Sequence, residues 1–290
     1  MSSFTLRRSV LYVSGANARA LEKARTLPAD CLLFDLEDAV APEQKGLARD
    51  QLVAALRAGG YEPRERIVRV NGVGTEWMAD DLAAIVAAAP DAICLPKVES
   101  PADVLRVAAL LDEYGSQAAI WATIETPRAV AAAQAIALAD PRVSALVMGT
   151  ADLAKALGVP ATPERQGLVF ALSAVVLAAR VAGVAVLDGV FMQLDDDAGL
   201  RRACEQGRAL GFDGKTLIHP RQLEITNEVF APDAAAIAEA ERILAGWQKA
   251  VAAGKGVTVV DGRLVERLHA EEAERLLAIA EATASRAVSD

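Results

Sequence analysis

Residues 120–154 read IWATIETPRAVAAAQAIALADPRVSALVMGTADLA. An apolar run from Ile120 ends in Glu125, and Thr126-Pro127 then opens an Ala-rich stretch in the manner of an N-cap followed by a first-turn proline. A second apolar run, Ala145 to Gly149, leads into Thr150-Ala151-Asp152. The two carboxylates stand 27 positions apart (152 minus 125), about the length of one βα unit in an eight-unit barrel of roughly 250 residues. Adjacent parallel strands of such a barrel would aim Glu125 and Asp152 into one mouth. With waters and substrate oxygens completing the shell, that pair suits Mg2+, or Mn2+. The plainer alternative is a pair of loop caps or solvated charges, and the rest of the chain has to decide between them.

The same alternation runs through most of the sequence. Short Val/Ile/Leu-rich runs occupy Val10 to Ser14, Cys31 to Leu36, Ile67 to Asn71, Ala92 to Lys97, Ile120 to Glu125, Ala145 to Gly149, Val184 to Gly189 and Lys215 to His219. Ala-rich helical stretches separate them, with Ser100-Pro101 and Gly115 bounding one of these. The pattern predicts a (β/α)8 TIM barrel over residues 1–228, with chemistry at the strand ends where the βα loops meet. Residues 229–290 read differently. Ile237, Ala240, Leu244, Trp247 and Val251 form one helical stripe within Pro232 to Ala253. Val257 to Val260, Asp261-Gly262 and Leu264 to Glu266 read as a hairpin, and His269 to Ala284 as a last helix. This C-terminal helical and hairpin extension is too small to bury much surface alone, so it is expected to pack on the barrel or on a neighbouring subunit.

Composition removes several function classes. The 290 residues carry a net charge of −9, from 30 basic and 39 acidic side chains. No Lys/Arg run supplies the basic footprint that nucleic acid requires, although a few local cations can still hold a small anion. Cys31, Cys94 and Cys204 are scattered, odd in number and free of any CxxC pair, which predicts reduced core thiols and no structural zinc. Met1 to Ser9 has Arg7 and Arg8 but no apolar segment of leader length behind them, so a cytoplasmic protein is expected. The long apolar stretch Phe170 to Leu187 is divided by Arg180 and Gly183 into a helix and a strand, so no membrane span is predicted.

Other strand ends also carry candidate chemistry. Asp35, Glu37 and Asp38 close the run Leu32 to Leu36, where their mutual repulsion calls for nearby cations or a metal. Their expected task is to hold a basic substrate-binding residue in place. Arg69, inside Ile67 to Asn71, needs an anionic partner, which is either that acidic cluster or a substrate carboxylate. Lys97 after Leu95-Pro96 could be a Schiff-base nucleophile, a salt-bridge partner or a pocket charge; metal carboxylates nearby make the charge role the preferred one. His219 and His269 lack ligand-spaced partners and read as structural. Gly72-Val73-Gly74 lacks the third glycine of a dinucleotide fingerprint, and no P-loop is present.

Taken together, Arg8 to Gly15, Leu27-Pro28-Ala29-Asp30 with Asp35 to Pro42, Val68 to Asn71, Leu95-Pro96-Lys97, Ile124 to Pro127, Gly149 to Leu153, and Gly211 to Lys215 through Ile218-His219-Pro220 resemble the citrate lyase β-subunit-like family of the HpcH/HpaI aldolase superfamily. That family includes malyl-CoA and citramalyl-CoA lyases. The resemblance implies a TIM barrel with Mg2+ at Glu125 and Asp152, Arg69 on the substrate's oxygen anions, and Asn71 and Lys97 as further substrate-site positions. It also implies an acyl-CoA thioester and a small α-keto acid as ligands, with Arg19 and Lys23 as candidates for the CoA pyrophosphate. Gly262-Arg263-Leu264-Val265-Glu266 matches a segment that family members carry into a neighbouring subunit's mouth, where its terminal Asp does acid-base work. Here that acid is Glu266, one methylene longer, and the family's Pro before His269 is absent. The implied reaction is reversible cleavage of a malyl-CoA- or citramalyl-CoA-type 3-hydroxyacyl-CoA to acetyl-CoA and an α-keto acid. Alternatives within reach of the same site are a malyl-CoA-type thioesterase and the β subunit of a citrate lyase complex. A homotrimer or hexamer is implied as well.

Overall fold

In the computed structural model, which describes residues 5–160 and 162–289, the apolar runs become eight parallel strands that close on themselves: β1 (Ser9–Ser14), β2 (Cys31–Asp35), β3 (Glu65–Arg69), β4 (Ala92–Leu95), β5 (Ala119–Ile124), β6 (Val143–Met148), β7 (Ala185–Asp188) and β8 (Gly214–Leu217). Each strand pairs with the next, and β8 pairs with β1. Between them run α1 (Ala18–Ala24), α2 (Lys45–Ala58), α3 (Met78–Val86), α4 (Pro101–Glu113), α5 (Pro127–Ala137), α6 (Thr150–Leu157), α7 (Val169–Ala182) and α8 (Asp197–Leu210), with α9 (Leu223–Phe230) after the last strand. The expected (β/α)8 barrel is what the chain forms.

Side-chain alternation sorts the strands' two faces. Val10, Cys31, Leu33, Ile67, Cys94, Trp121, Val147 and Leu187 meet in one cluster inside the barrel. Their sequence neighbours, among them Leu11, Leu32, Val68 and Ile120, join a larger cluster with the helices outside. Arg7 and Glu65, bonded at 2.7 Å, plug the lower end, with the guanidinium 5.1 Å from the Trp121 ring centroid. Closure needs Gly214, because a Cβ there would collide with the carbonyl oxygens of Arg7 and Arg8. The helix punctuation works as read: Thr126 accepts the Ala129 N–H at 3.1 Å, and Ser100 forms a capping box with Asp103.

The outer layer contains a buried ion network. Asp188 accepts from Lys215 Nζ at 2.8 Å and from Arg165 Nη1 at 2.6 Å, and Lys215 Nζ also donates to the Gly189 carbonyl at 2.5 Å. Asp188 and Lys215 are almost wholly buried, at 0% and 1% exposure. Burial disfavours the Asp188 charge, but Lys215 and Arg165 outweigh it and hold the carboxyl below its ordinary range. Asp188→Asn leaves the buried Lys215 and the half-buried Arg165 short of a counter-charge, and is expected to cost about 3–5 kcal/mol in urea unfolding. The sign for pH follows from a depressed carboxylate. Its contribution is present above about pH 4, the unfolded value, and is lost as pH falls through the lower folded value. The variant's acid unfolding should therefore be flatter than the wild type's.

The chain divides into two compact units, the barrel Arg7–Phe230 and a second unit of residues 231–289 with Thr5 and Leu6. In the second unit, α10 (Ala234–Ala252) packs with α11 (Arg267–Ser289), and β9 (Thr258–Val260) pairs antiparallel with β10 (Arg263–Val265). Asp261 and Gly262 have φ of 50° and 77°, the two positive values that a two-residue hairpin loop with the right twist demands. The last helix begins two residues before the expected His269, because His269 Nδ1 accepts the Glu266 N–H at 3.1 Å and caps its start. The α10 stripe also departs from the sequence reading at its end: Val251 is 54% exposed and Ala250 is the buried residue. Among the described residues no helix is long and apolar enough to cross a membrane. The stretch read as helix then strand is α7 and β7, divided by Gly183 in a left-handed C-cap.

Candidate functional site

Asp35 and Arg69 are the last residues of β2 and β3 and stand in register. That register lets the guanidinium fork the carboxylate: Nε and Nη2 donate to Oδ1 and Oδ2, both at 2.7 Å. Asp35 is itself fixed by the backbone N–H groups of Glu37 at 2.9 Å and Ala39 at 3.0 Å. Arg69 Nη1 lies 3.0 Å from Glu37 Oε2 and 3.8 Å from Asp38 Oδ2, and its Cζ is 4.8 Å from the Tyr12 ring centroid. Burial opposes the Arg69 charge, but the bonds to Asp35 and the neighbouring acids push its pKa above the usual arginine value. Of the two partners open to Arg69, the acidic cluster is the one it holds within this chain.

The acidic turn is clamped from outside the barrel. Lys45 of α2 donates to the Leu36 carbonyl at 2.8 Å and the Glu37 carbonyl at 2.7 Å, over the Trp77 ring. Asn71 donates to Leu36 O at 3.1 Å and to Asp81 Oδ2 at 2.6 Å, and Arg49 Nε holds the other Asp81 oxygen at 2.8 Å. Both amide hydrogens of Asn71 are thus spent on the fold, which leaves only its Oδ1 for a ligand. Neither Lys45 nor Asp81 was legible as a support. A lone lysine and one aspartate of the Asp80-Asp81 pair, on two amphipathic helices, look like solvated charges until the helices pack.

Lys97, two residues past β4, has a left-handed φ of 52°. Its N–H donates to Glu125 Oε1 at 2.6 Å, while its ammonium pairs with Glu37 Oε1 and lies 3.4 Å from Asp38 Oδ1. Burial lowers the Lys97 pKa, but those two acids more than reverse it. An ammonium held protonated is a charge and not an amine nucleophile, which supports the pocket-charge role over the Schiff base. Glu37 is only 6% exposed. Burial pushes its carboxyl up although Arg69 and Lys97 pull it down.

Glu125 follows β5 directly and is 3% exposed. Burial pushes its carboxyl up to about 7, with the negative charges of Glu37 and Asp152 adding to the rise. It lies over Gly149, where any Cβ would strike its side chain. Asp152 is exposed in the first turn of α6, close enough for its charge to be felt at Glu125. Like-charged carboxylates around a buried one, with Arg69 opposing them less, make a donor set that suits a hard divalent ion. Among the described residues no three or more His, Cys, Asp or Glu side chains converge as a metal cage. An ion here would rest on two carboxylates plus water or substrate oxygens, which is the habit of Mg2+ and not of structural zinc.

The structure therefore gathers Arg69, Asp35, Glu37, Asp38, Lys97, Glu125 and Asp152 at one end of the barrel. Glu266 belongs to the second unit, half-buried at the start of α11, with its backbone N–H on His269. Arg19 and Lys23 are exposed at the two ends of α1. His219 is exposed, and its Nδ1 accepts the Arg221 N–H at 3.2 Å, a turn-capping contact. The residue missed in the sequence is Tyr12, which stands beneath Arg69. The in-and-out alternation of Val10, Leu11 and Tyr12 was the available signal.

Residues 8–220 match the family model described as HpcH/HpaI aldolase/citrate lyase. A protein of Cereibacter sphaeroides named (3S)-malyl-CoA thioesterase is 50% identical over 278 residues, 96% of each chain. The citrate lyase subunit beta of Escherichia coli K12 is 34% identical, over 97% of this chain and 95% of that one. Among solved structures, CitE of Mycobacterium tuberculosis in complex with magnesium, acetoacetate and coenzyme A superposes with a TM-score of 0.75 at 31% identity, covering 93% of this chain and 96% of that one. A closed parallel barrel, acids and an arginine at its strand ends, and these matches along nearly the whole chain lead to one assignment: the chain belongs to the HpcH/HpaI aldolase/citrate lyase family, a family of enzymes.

Proposed function

We propose that this protein is a Mg2+-dependent carbon-carbon lyase acting on malyl-CoA- or citramalyl-CoA-type 3-hydroxyacyl-CoA thioesters. The observation that carries the reading is Glu125, buried at the end of its strand within electrostatic reach of Asp152 and Arg69. Glu125 and Asp152 would hold the ion, which when bound supplies Lewis acidity and a template for the substrate's carboxylate and hydroxyl oxygens. Mn2+ would fit the same oxygen donors.

The chain's own residues divide the remaining work. Arg69, oriented by Asp35 and Glu37, faces the oxygen of the carbinol carbon and stabilises charge that gathers there as the proton leaves. The bond from the carbinol carbon to the carbon α to the thioester then breaks, its electron pair passing to the thioester enolate. Protonation of that enolate at carbon yields acetyl-CoA, or a homologue, and an α-keto acid. Lys97 fixes Glu125 through its N–H and Glu37 through its ammonium. Asn71 steadies the acidic turn and has one oxygen left for substrate, and Arg19 with Lys23 are the proposed CoA-phosphate contacts.

Glu266, brought by a partner subunit, is the proposed proton shuttle. Val259, Leu264 and Leu268 in the same unit are 66%, 56% and 57% exposed, which supports association of this unit with another copy; a homotrimer or hexamer is the proposed assembly. Glu266→Gln is expected to lower kcat by about a hundredfold while leaving divalent-ion binding unchanged. Full activity in that variant removes Glu266 from the mechanism. The three cysteines are buried and none is in a disulfide, which fits a reducing compartment, and a cytoplasmic location is proposed.

Thioester hydrolysis is the second reading, favoured by the name of the 50% identical relatives. Both readings use the same substrate grip and differ in which bond breaks. With malyl-CoA and Mg2+, acetyl-CoA and glyoxylate as first products support the lyase, whereas free CoA and malate with no acetyl-CoA at any time establish the thioesterase.

A further inference from the structure

Tyr12 contributes to the mouth a donor that the fold leaves unused. On β1, Val10 and Tyr12 turn into the barrel while Leu11 and Val13 pack against the helices. Two residues before the end of the strand, the Tyr12 ring comes to lie under the Arg69 guanidinium, 4.8 Å from Cζ to ring centroid. The ring is half-buried, and the hydroxyl is not among the buried side-chain atoms without a partner, so it is open to a ligand. Cys94, Asp35 and Glu125 all act electrostatically on it, so it stands among the groups of the candidate site. Burial first, and then those groups, push the phenol far above its ordinary pKa although Arg69 opposes them. It is therefore a neutral O–H donor at every working pH.

A neutral donor answers a problem set by Arg69. Asp35 takes two of the five guanidinium N–H groups, and Glu37 and Asp38 stand at 3.0 and 3.8 Å from Nη1. An anionic oxygen docking on Arg69 therefore meets a cation already compensated by acids. A second cation would be desolvated and drawn to the same acids, whereas a phenolic hydroxyl adds a hydrogen bond with no charge to bury.

We propose that the Tyr12 hydroxyl is a specificity-determining contact, donating to an oxygen of the carboxylate at the keto-acid end of the substrate. It selects thioesters that carry a carboxylate on the carbinol carbon over those that carry hydrogen or methyl there. This rests on the reading above that Arg69 meets substrate oxygen. The site loses a hydrogen bond to a charged group when the hydroxyl is removed, and analogues lacking the acceptor leave the donor unpaired.

The test is Tyr12→Phe, which deletes the hydroxyl and keeps the ring under Arg69. Pyruvate, the probe, is titrated by NMR into the full-length protein with saturating Mg2+. The variant is expected to bind it at least about tenfold more weakly, with an unchanged thermal midpoint and unchanged Mn2+ binding by paramagnetic resonance. Tyr12→Leu, which also removes the ring, should lower the midpoint as well, so a purely structural role would show itself in midpoints and not in the Phe variant's affinity. Equal pyruvate affinity in wild type and Tyr12→Phe overturns the assignment. So does the absence of any Mg2+-dependent pyruvate binding by the wild type. The lyase and thioesterase readings are judged separately by turnover of malyl-CoA. A wild type that binds pyruvate, loses it in Tyr12→Phe and turns over no thioester keeps the Tyr12 contact and refutes those readings.

Discussion

Glu125→Gln should abolish divalent-ion binding and lower turnover of a malyl-CoA-type thioester by on the order of a thousandfold or more, because one of the two carboxylates proposed to hold the ion is gone. The same variant should gain stability once metal is removed. The Glu125 carboxyl is raised from 4.5 to about 7 by burial and by the charges of Glu37 and Asp152. A raised carboxyl binds more protons folded than unfolded between those values, so its contribution to stability falls as pH rises from 4.5 through 7. The loss reaches about 3 kcal/mol above pH 7. Glutamine has the same shape, keeps an oxygen for the Lys97 N–H and never ionises. In EDTA at pH 8, urea unfolding should therefore show Glu125→Gln as more stable than wild type. Mg2+ at a hundred times its dissociation constant should return about 2.7 kcal/mol to the wild type and nothing to the variant. A wild type whose unfolding midpoint ignores both EDTA and Mg2+ would sink the metal proposal.

Arg69→Lys is expected to lower kcat/KM by about a hundredfold to a thousandfold, since a lysine keeps the charge and loses the planar fork. The fork does two tasks at once. It binds both oxygens of Asp35 at 2.7 Å and presents Nη1 beside Glu37 at 3.0 Å. An ammonium can serve one of those acids in a single position and cannot also be aimed at a substrate oxygen. Arg69→Met removes the charge altogether. It leaves Asp35, 1% exposed, and Glu37, 6% exposed, without their shared cation, at an expected cost of about 3–5 kcal/mol in unfolding free energy. Steady-state kinetics on Arg69→Lys and urea unfolding of Arg69→Met separate the functional loss from the structural one. Restoration of part of the Arg69→Met activity by added guanidinium would confirm that the missing group acts on the substrate. A Lys variant with wild-type kcat/KM would show that Arg69 only holds the acidic turn.

Much of this arrangement was legible because local chemistry dictated it. The eight apolar runs could be read as strands since β-branched and aliphatic residues between turn signals have few other uses, and the Ala-rich stretches between them carried their own caps. The acids at the ends of those runs, Asp35 and Glu125, could be marked because a charge at the close of a buried strand must be answered by something. Arg69 could be marked for the same reason, and Asp152 because it follows the next run at the spacing of one βα unit. The Asp-Gly hairpin turn could be placed because two consecutive positive φ values are available to few residue pairs.

The partners of those charges were not legible. Arg69 had two candidate partners in the sequence, and the register of β2 on β3 is what sets it on Asp35. Lys97 had three candidate roles, and its pairing with Glu37, together with the N–H it turns toward Glu125, comes from a left-handed backbone at one residue. Lys45 and Asp81 sit on helices, and nothing in their own surroundings announces the turn and the asparagine they hold. Asp188 is 23 residues from Arg165 and 27 from Lys215, with a helix between it and each of them. Tyr12 looked like one more aromatic in a strand. Backbone propensity and hydrophobic period are properties of a segment, so the sequence alone determined the barrel, its strand ends and which acids stand there. Which charge neutralises which, and which donor is left over for a ligand, depends on the distances between segments that only the closed barrel brings together.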